Sequence, residues 1–340
     1  MSVSFSTIWT QLFPPRGPFN ESNLPSQAGK VFVITGGSSG LGLALTRILY
    51  GAGGKVYILT RSKARADKAI SEVKASYEGK TNTGSLAFIS MDLNDFETVK
   101  SAALEFLDRE GSEGRLDVLF NNAGTGGRKN APKGAQGYEY HMTINVLGGF
   151  ILTQHLLPIL TRTAALPGSS TGSVRVVCPA SVLVEMGSPK SGIHQDWFKN
   201  PEAYQDYIEL YSQSKVAVWF LQSEFARRQV HRGSGVLFIA GNPGTYNTNM
   251  WQYTSKILKW LMWPILRDLS HASDTYLWMG FSDLVTMDDA IAGRYAMCDG
   301  RWHPGQRADL ISALRSKEEG GTGRAAELYE WCENVTREFL

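Results

Sequence analysis

Tyr211 and Lys215 stand four residues apart within a helical pattern that runs from Tyr204 to Gln229, so they share one face and are neighbours on it. That spacing places a phenol beside an ammonium. A tyrosine with an ordinary pKa of about 10 is a weak acid at neutral pH. A nearby positive charge favours the phenolate and so lowers that pKa. Such a pair can pass a proton to or from an oxygen atom, which is worth roughly 10²- to 10⁴-fold in rate. Tyr/Lys pairs at this spacing are also ordinary features of exposed helices, so the chemical reading needs support from elsewhere in the chain.

A second stretch supplies it. In "VFVITGGSSGLG", Val31 to Gly42, an apolar run leads through Gly36, Gly40 and Gly42 into the helical pattern Leu41 to Gly53. A glycine turn between a strand and a helix brings backbone close to a diphosphate and aims the helix N-terminus at it. The spacing is GxxxGxG rather than GxGxxG, and no Gly-Lys-Ser/Thr follows, which excludes the nucleoside-triphosphatase loop. A plain tight turn is the other reading of the same residues.

These residues need a scaffold, and the rest of the chain describes one. Apolar strand-like runs alternate with helical patterns from Lys30 onward. Lys30–Gly37, Lys55–Thr60, Gly84–Leu93, Leu116–Gly124, Ser173–Ser181 and Gly235–Gly244 read as six strands. Helices are expected at Leu41–Gly53, Ser62–Tyr77, Asp95–Glu110, Gly137–Thr163 and Tyr204–Gln229. Continuous apolar strands interleaved with helices imply a parallel sheet covered on both faces. The expected fold is therefore α/β: a single doubly wound Rossmann-type domain with a mostly parallel central sheet and C-terminal helical additions. Residues 1–29, rich in Pro, Ser and Asn, read as an arm; residues 30–340 read as the domain. The additions are a pattern at Trp251–Leu266 and helices near Arg307–Lys317 and Arg324–Phe339.

Composition narrows the partners. The 340 residues are 43% hydrophobic and 19% charged with a net charge of +2, which gives no electrostatic reason to expect nucleic acid or an anionic membrane. Cys178, Cys298 and Cys332 are sparse and lack CxxC spacing, as suits reduced thiols in the cytoplasm and no metal site. The first residues lack the features of a signal peptide. The most apolar run, Ile257–Leu266, is short and broken by Lys259 and Pro264, so membrane association is not expected.

Three motifs then fall in order. Thr35 to Gly42, Asn121-Asn122-Ala123-Gly124, and Tyr211 to Lys215 resemble the TGxxxGxG, NNAG and YxxxK motifs of the short-chain dehydrogenase/reductases, and the resemblance covers about Lys30 to Met250. Less specific stretches, "QGYEYHMTINVLGGFILTQHLLPIL" and "WHPGQRADLISALRSKEEGGTG", are similar to retinol-dehydrogenase-like members and to reductases of fungal secondary metabolism. The resemblance implies a nicotinamide cofactor and a catalytic set of Asn145, Ser181, Tyr211 and Lys215. In that set Ser181 hydrogen-bonds the substrate oxygen as charge builds there, Lys215 also binds the nicotinamide ribose, and Asn145 holds a relay water. It further implies cofactor contacts at Gly36, Ser38, Ser39, Gly40, Leu41 and Gly42, at Asp92 and Leu93 (adenine), at Asn122, Ala123 and Gly124 (adenosine ribose), and at Pro243, Gly244, Tyr246 and Thr248, from a PGxxxT-like loop. Members of the family often pair through the fourth and fifth helices, which suggests a homodimer, although the C-terminal helices could interfere. Two departures stand out: Ala180-Ser181, after a Pro179 expected to make the strand end irregular, replaces a Ser-Ser pair, and the 30-residue gap from Ser181 to Tyr211 is longer than in the shortest members.

Strand two ends at Thr60 and Arg61, with Arg65 a turn later, instead of at an acid. A carboxylate there suits NAD, whereas a guanidinium grips a 2′-phosphate with paired hydrogen bonds. NADP(H) is the cofactor this predicts. The substrate is a small carbonyl or alcohol compound; its walls are expected in residues 182–210 and 245–305. Trp251, Tyr253, Trp260, Met262 and Trp263 suit a flat or greasy molecule, with core, dimer or membrane-surface packing as rival readings. Reduction and the reverse oxidation use the same groups. An alternative of another class is a non-catalytic NADP(H)-binding sensor of the same fold.

Overall fold

The computed structural model describes residues 5–198, 203–248, 260, 263–267 and 269–340. Its centre is an eight-stranded sheet of order β3-β2-β1-β4-β5-β6-β7-β8. The strands are β1 Val31–Thr35, β2 Lys55–Thr60, β3 Ser85–Ser90, β4 Val118–Phe120, β5 Arg175–Pro179, β6 Leu237–Gly241, β7 Ala296–Met297 and β8 Arg301–Trp302. All pairs are parallel except β7 with β8. β1, β4, β5 and β6 are buried at every position, as a sheet covered on both faces requires. Strand order reverses between β1 and β4, and the crevice beyond their carboxyl ends is the place where such sheets bind ligands.

The helices are α1 Phe5–Leu12, α2 Gly40–Gly51, α3 Lys63–Ser76, α4 Phe96–Glu110, α5 Tyr140–Met142, α6 Gly148–Ala164, α7 Leu183–Met186, α8 Tyr207–His231, α9 Asp274–Phe281, α10 Met287–Ile291, α11 Ala308–Leu314 and α12 Arg324–Thr336. Each of the expected strands and helices is present with shifted ends. The fourth strand is three residues long, since its chain leaves the ladder after Asn121, whose N–H still donates to the Val177 carbonyl at 3.0 Å, to form the motif loop. The short pair β7 and β8 escaped the sequence reading: two-residue strands carry no periodicity to detect. The strand end at Pro179 is more regular than expected, for Pro179 remains in register with Gly241. The missing N–H lies on the β4 side, where pairing has already stopped at Phe120 and Val177, so no ladder bond is lost.

Between α5 and α6 the helix opens into a wider π turn over Thr143–Leu147, with Asn145 at its middle. Such bulges inside helices often mark functional positions. The run from Tyr140 to Ala164 has the length and apolarity to cross a membrane, but most of it is buried in the fold.

The C-terminal additions pack on the core. Tyr329 of α12 lies between Phe150 of α6 and Phe225 of α8, with ring centroids 5.3 and 5.1 Å away, and takes the Arg228 guanidinium on its face at 4.1 Å. Gln154 donates to the Tyr329 hydroxyl at 3.3 Å, and His155 bonds the Phe339 carbonyl at 2.8 Å. The last helix thus packs on α6 and α8, the two helices offered for pairing. Trp260 and Trp263 are 74% and 64% exposed, so neither belongs to the core. Trp251, Tyr253 and Met262 lie outside the described residues. Replacing the buried Tyr329 with Ala should lower the unfolding free energy by about 3–5 kcal/mol in urea titrations.

Candidate active site

The site grows from the carboxyl ends of β1, β4 and β5. After β1 the backbone turns at Gly36 with φ +68°, a conformation that favours glycine. A side chain at Gly42 would come within 2.5 Å of the Asn122 amide nitrogen and of the Gly36 carbonyl. The corner is therefore packed tightly on its inner side, while Ser38, Ser39, Gly40 and Leu41 are part-exposed on its outer side. Ser39 precedes α2 in extended conformation and makes no capping bond with its side chain, so the first N–H groups of α2 are not closed by it. This open helix start on a close-packed glycine turn fits a diphosphate.

The NNAG loop is sewn to that corner. Asn122 Nδ2 donates to the Thr35 carbonyl at 2.8 Å, and the Ala123 N–H donates to Thr35 Oγ1 at 2.7 Å. Asn122 Oδ1 accepts from the Tyr276 hydroxyl at 2.9 Å. Asn122 thus holds the loop to β1 and to Tyr276 through both ends of its side chain. The Tyr246 side chain is buried, where it donates to the His271 carbonyl at 3.0 Å and accepts from Arg267 Nη1 at 3.1 Å. The rest of its loop does reach the crevice: the Thr248 methyl lies in van der Waals range of the position a Gly40 side chain would take. Gly244 is held by its N–H to Asn242 Oδ1 at 3.0 Å, and the Pro243 carbonyl accepts from Thr275 at 3.3 Å.

Arg61 and Asp92 sit side by side beyond β2 and β3, with Nη1 and Oδ2 3.8 Å apart. The Arg61 side chain is 63% exposed, so a pair this loose is worth little and leaves the guanidinium available to an anion. Arg65 is exposed on the first turn of α3, whose start Ser62 caps. Leu93 is buried beside them, and Gly124 is exposed at the loop's end.

Past the end of β4 the Pro179 carbonyl loses its strand partner, and Lys215 Nζ takes it at 3.1 Å. Lys215 is 4% exposed, and burial brings its pKa down to about 8. Its Nζ is 5.8 Å from the centre of the Tyr211 ring, one turn back on α8. Asn145, at the π turn, accepts from the Thr125 N–H at 2.8 Å and donates to Ser214 Oγ at 3.0 Å, the residue before Lys215. Together with Cys178, Pro179 and Ala123, Asn145 and Lys215 line one small internal cavity. Burial pushes the Cys178 thiol up to about 12, so it stays protonated.

Ser181 follows β5, with its side chain close enough to act on the Tyr211 hydroxyl. The Leu183 N–H donates to Ser181 Oγ at 3.2 Å. The expected fall in the Tyr211 pKa is not what the surroundings produce. Burial raises it, and the Ser181 side chain opposes only part of that rise.

Several residues here carried no signal in the sequence. The Tyr295 hydroxyl accepts from the Ser181 N–H at 3.1 Å and donates to the Ser181 carbonyl at 2.7 Å. Gln11 of α1 donates to Glu185 Oε2 at 2.8 Å and accepts from Asn242 Nδ2 at 3.1 Å, tying the turn after Ser181 to the loop at Gly244. His303 bonds the same Glu185 oxygen at 3.1 Å. None has a motif; their spacing along the chain is too long to read.

A family model described as short chain dehydrogenase matches residues 30–192. A "Short-chain dehydrogenase/reductase" of Phomopsis amygdali is 35% identical over 344 residues, spanning 99% of this chain and 98% of its own. Among solved structures, a putative uncharacterized protein from Mycobacterium Paratuberculosis superposes with a TM-score of 0.65 at 25% identity, covering 94% of this chain and 98% of that one. A Pseudomonas aeruginosa RhlG/NADP active-site complex matches at 28% identity with a TM-score of 0.50, covering 67% of this chain and 77% of that one. The chain belongs to the short-chain dehydrogenase/reductases: it is an oxidoreductase of the CH–OH/C=O class, and a nicotinamide cofactor fits its crevice.

Lys215→Met should raise the unfolding free energy at pH 7 by about 2–3 kcal/mol. Folded Lys215 titrates near 8 against an ordinary 10.5, so between those values the unfolded chain holds the extra proton and the natural protein gains stability as pH rises. Denaturant titrations across that window should see the difference between the two proteins shrink.

Proposed function

We propose that this protein is an NADPH-dependent reductase of a ketone or aldehyde on a hydrophobic, aromatic small molecule, with the reverse alcohol oxidation available to the same residues. The observation that carries this reading is the buried Lys215 ammonium 5.8 Å from the Tyr211 ring, with the Ser181 side chain beside that tyrosine's hydroxyl. Bound NADPH supplies the hydride. Tyr211 gives its proton to the carbonyl oxygen, Ser181 hydrogen-bonds that oxygen as its charge grows, and Lys215 with Asn145 replenishes the proton from the cavity behind. Because burial holds Tyr211 up, its proton is retained at neutral pH, as an acid in the reducing direction must retain it.

NADP over NAD rests on Arg61 and Arg65 at the end of β2 and the start of α3, where both side chains are exposed. The neighbour from Pseudomonas aeruginosa, named as an NADP complex, supports the same choice. The curated relatives are fungal proteins of nearly equal length, which supports a role in secondary metabolism. Residues 30–340 form the working domain with 1–29 as its arm, and buried unpaired cysteines suit the cytoplasm.

Absorbance at 340 nm with NADPH and a panel of aromatic ketones should register turnover. Tyr211→Phe should lose about 10²- to 10⁴-fold in kcat while NADPH still quenches protein fluorescence; full activity in that variant would overturn the assignment. Arg61→Asp should shift the NADP-to-NAD ratio of kcat/KM toward NAD by about 10-fold or more, the scale of one charge-assisted contact. An unchanged ratio would refute the cofactor choice.

A further inference from the structure

We infer that Tyr295 is a positioning residue for the reaction, fixing Ser181 against Tyr211 from the C-terminal extension. This rests on the reductase reading above. Ser181 lies just beyond the paired part of β5: the last ladder bond to β6 is the Ala180 N–H to the Gly241 carbonyl at 2.7 Å. A backbone that has left its sheet needs other partners for its N–H and carbonyl. One hydroxyl meets both needs at Ser181, accepting at 3.1 Å and donating at 2.7 Å. With its single proton used on the carbonyl and a lone pair on the N–H, the Tyr295 hydroxyl is committed to this residue.

Tyr295 is itself held by the helix that carries Tyr211 and Lys215. Trp219, one turn past Lys215 on α8, donates its indole N–H to the Gly293 carbonyl at 3.0 Å and sets its ring edge-on to Tyr295 with centroids 5.2 Å apart. The residue after Tyr295 pairs with Gly241 at the start of β7, and the Tyr295 carbonyl accepts from the His303 N–H at 2.8 Å. The clamp is thereby tied to α8, to β6 and to the chain after β8. This closed circuit, in which Trp219, Gly293 and Tyr295 are all buried, holds the Ser181 backbone relative to the helix that carries Tyr211. On its other side Ser181 is held only from within its own turn, by the Val184 N–H to its carbonyl at 3.1 Å and the Leu183 N–H to its Oγ at 3.2 Å.

The test is a double-mutant cycle on the full chain with NADPH and a ketone that the natural protein reduces. Tyr295→Phe keeps the ring and removes the clamp. It should lower kcat about 5- to 30-fold, the scale of a lost buried hydrogen bond, leave the NADPH dissociation constant unchanged, and move the pH limb of kcat upward, because the Ser181 side chain that opposes the rise in the Tyr211 pKa is no longer held in place. In a Ser181→Ala background the same substitution should change kcat by less than about 2-fold. A loss of equal size in both backgrounds, or an unmoved pH limb, would overturn the inference. Should Tyr295→Phe fail to fold, Trp219→Phe, which removes the bond to Gly293, should show the same dependence on Ser181, and independence from it counts against the inference. Failure of the reductase reading would be seen separately, as turnover that survives Tyr211→Phe.

Discussion

A buried ammonium shapes the site. Water solvates a lysine far better than a protein interior does, so Lys215 at 4% exposure is a standing cost that the fold must offset locally. The offset is visible in how β4 and β5 end. β4 stops three residues in, the Pro179 carbonyl is left without a strand, and the lysine takes it. The proline at this place removes an N–H that would otherwise stand unpaired on the same side. The widened turn at Thr143–Leu147 brings Asn145 toward the residues beside Lys215. Even so, the charge is held at a disadvantage, and the lysine's pKa falls to about 8. A base poised there can change protonation state near physiological pH, and burial has done the tuning.

The two halves of the crevice are built by different means. On the cofactor side the chain uses backbone: glycine close-packing, an open helix start, and an asparagine spent on stitching one loop to another. On the reacting side it uses side chains whose positions are fixed by others. Asn145 is held by Thr125, Ser181 by Tyr295 and Leu183, and Lys215 by Pro179. Backbone sites tolerate change in the residues around them; sites built from supported side chains depend on each support in turn.

Much of this was legible in the sequence, for identifiable reasons. The strands β1, β4, β5 and β6 announced themselves as apolar runs because they are buried on both faces. The glycine corner was legible because close approach admits no other residue at Gly42. The Tyr211–Lys215 pair was legible because four residues make one turn. What could not be read had one of two causes. Tyr295, Gln11 and Tyr276 act across separations of 114, 231 and 154 residues, which no local pattern encodes. The direction of the Tyr211 shift was misjudged because proximity to a cation was visible in the spacing, while burial, the larger effect, was not. Tyr246 and Asn122 occupy their motif positions, yet the partners of their side chains are a choice that the motif leaves open.

The placement of Gln11 has a consequence for how the chain is made. Its amide joins Glu185 to Asn242, and its carbonyl accepts from the Cys298 thiol at 3.1 Å. The seat of α1 is therefore built from residues 174 to 287 positions further along the chain. Closing loops of that length costs more entropy than local contacts do, and contacts of such separation slow folding. Until they form, Phe5, Trp9 and Phe13, which stay on the outside of the finished protein, are apolar surface of the kind that chaperones hold.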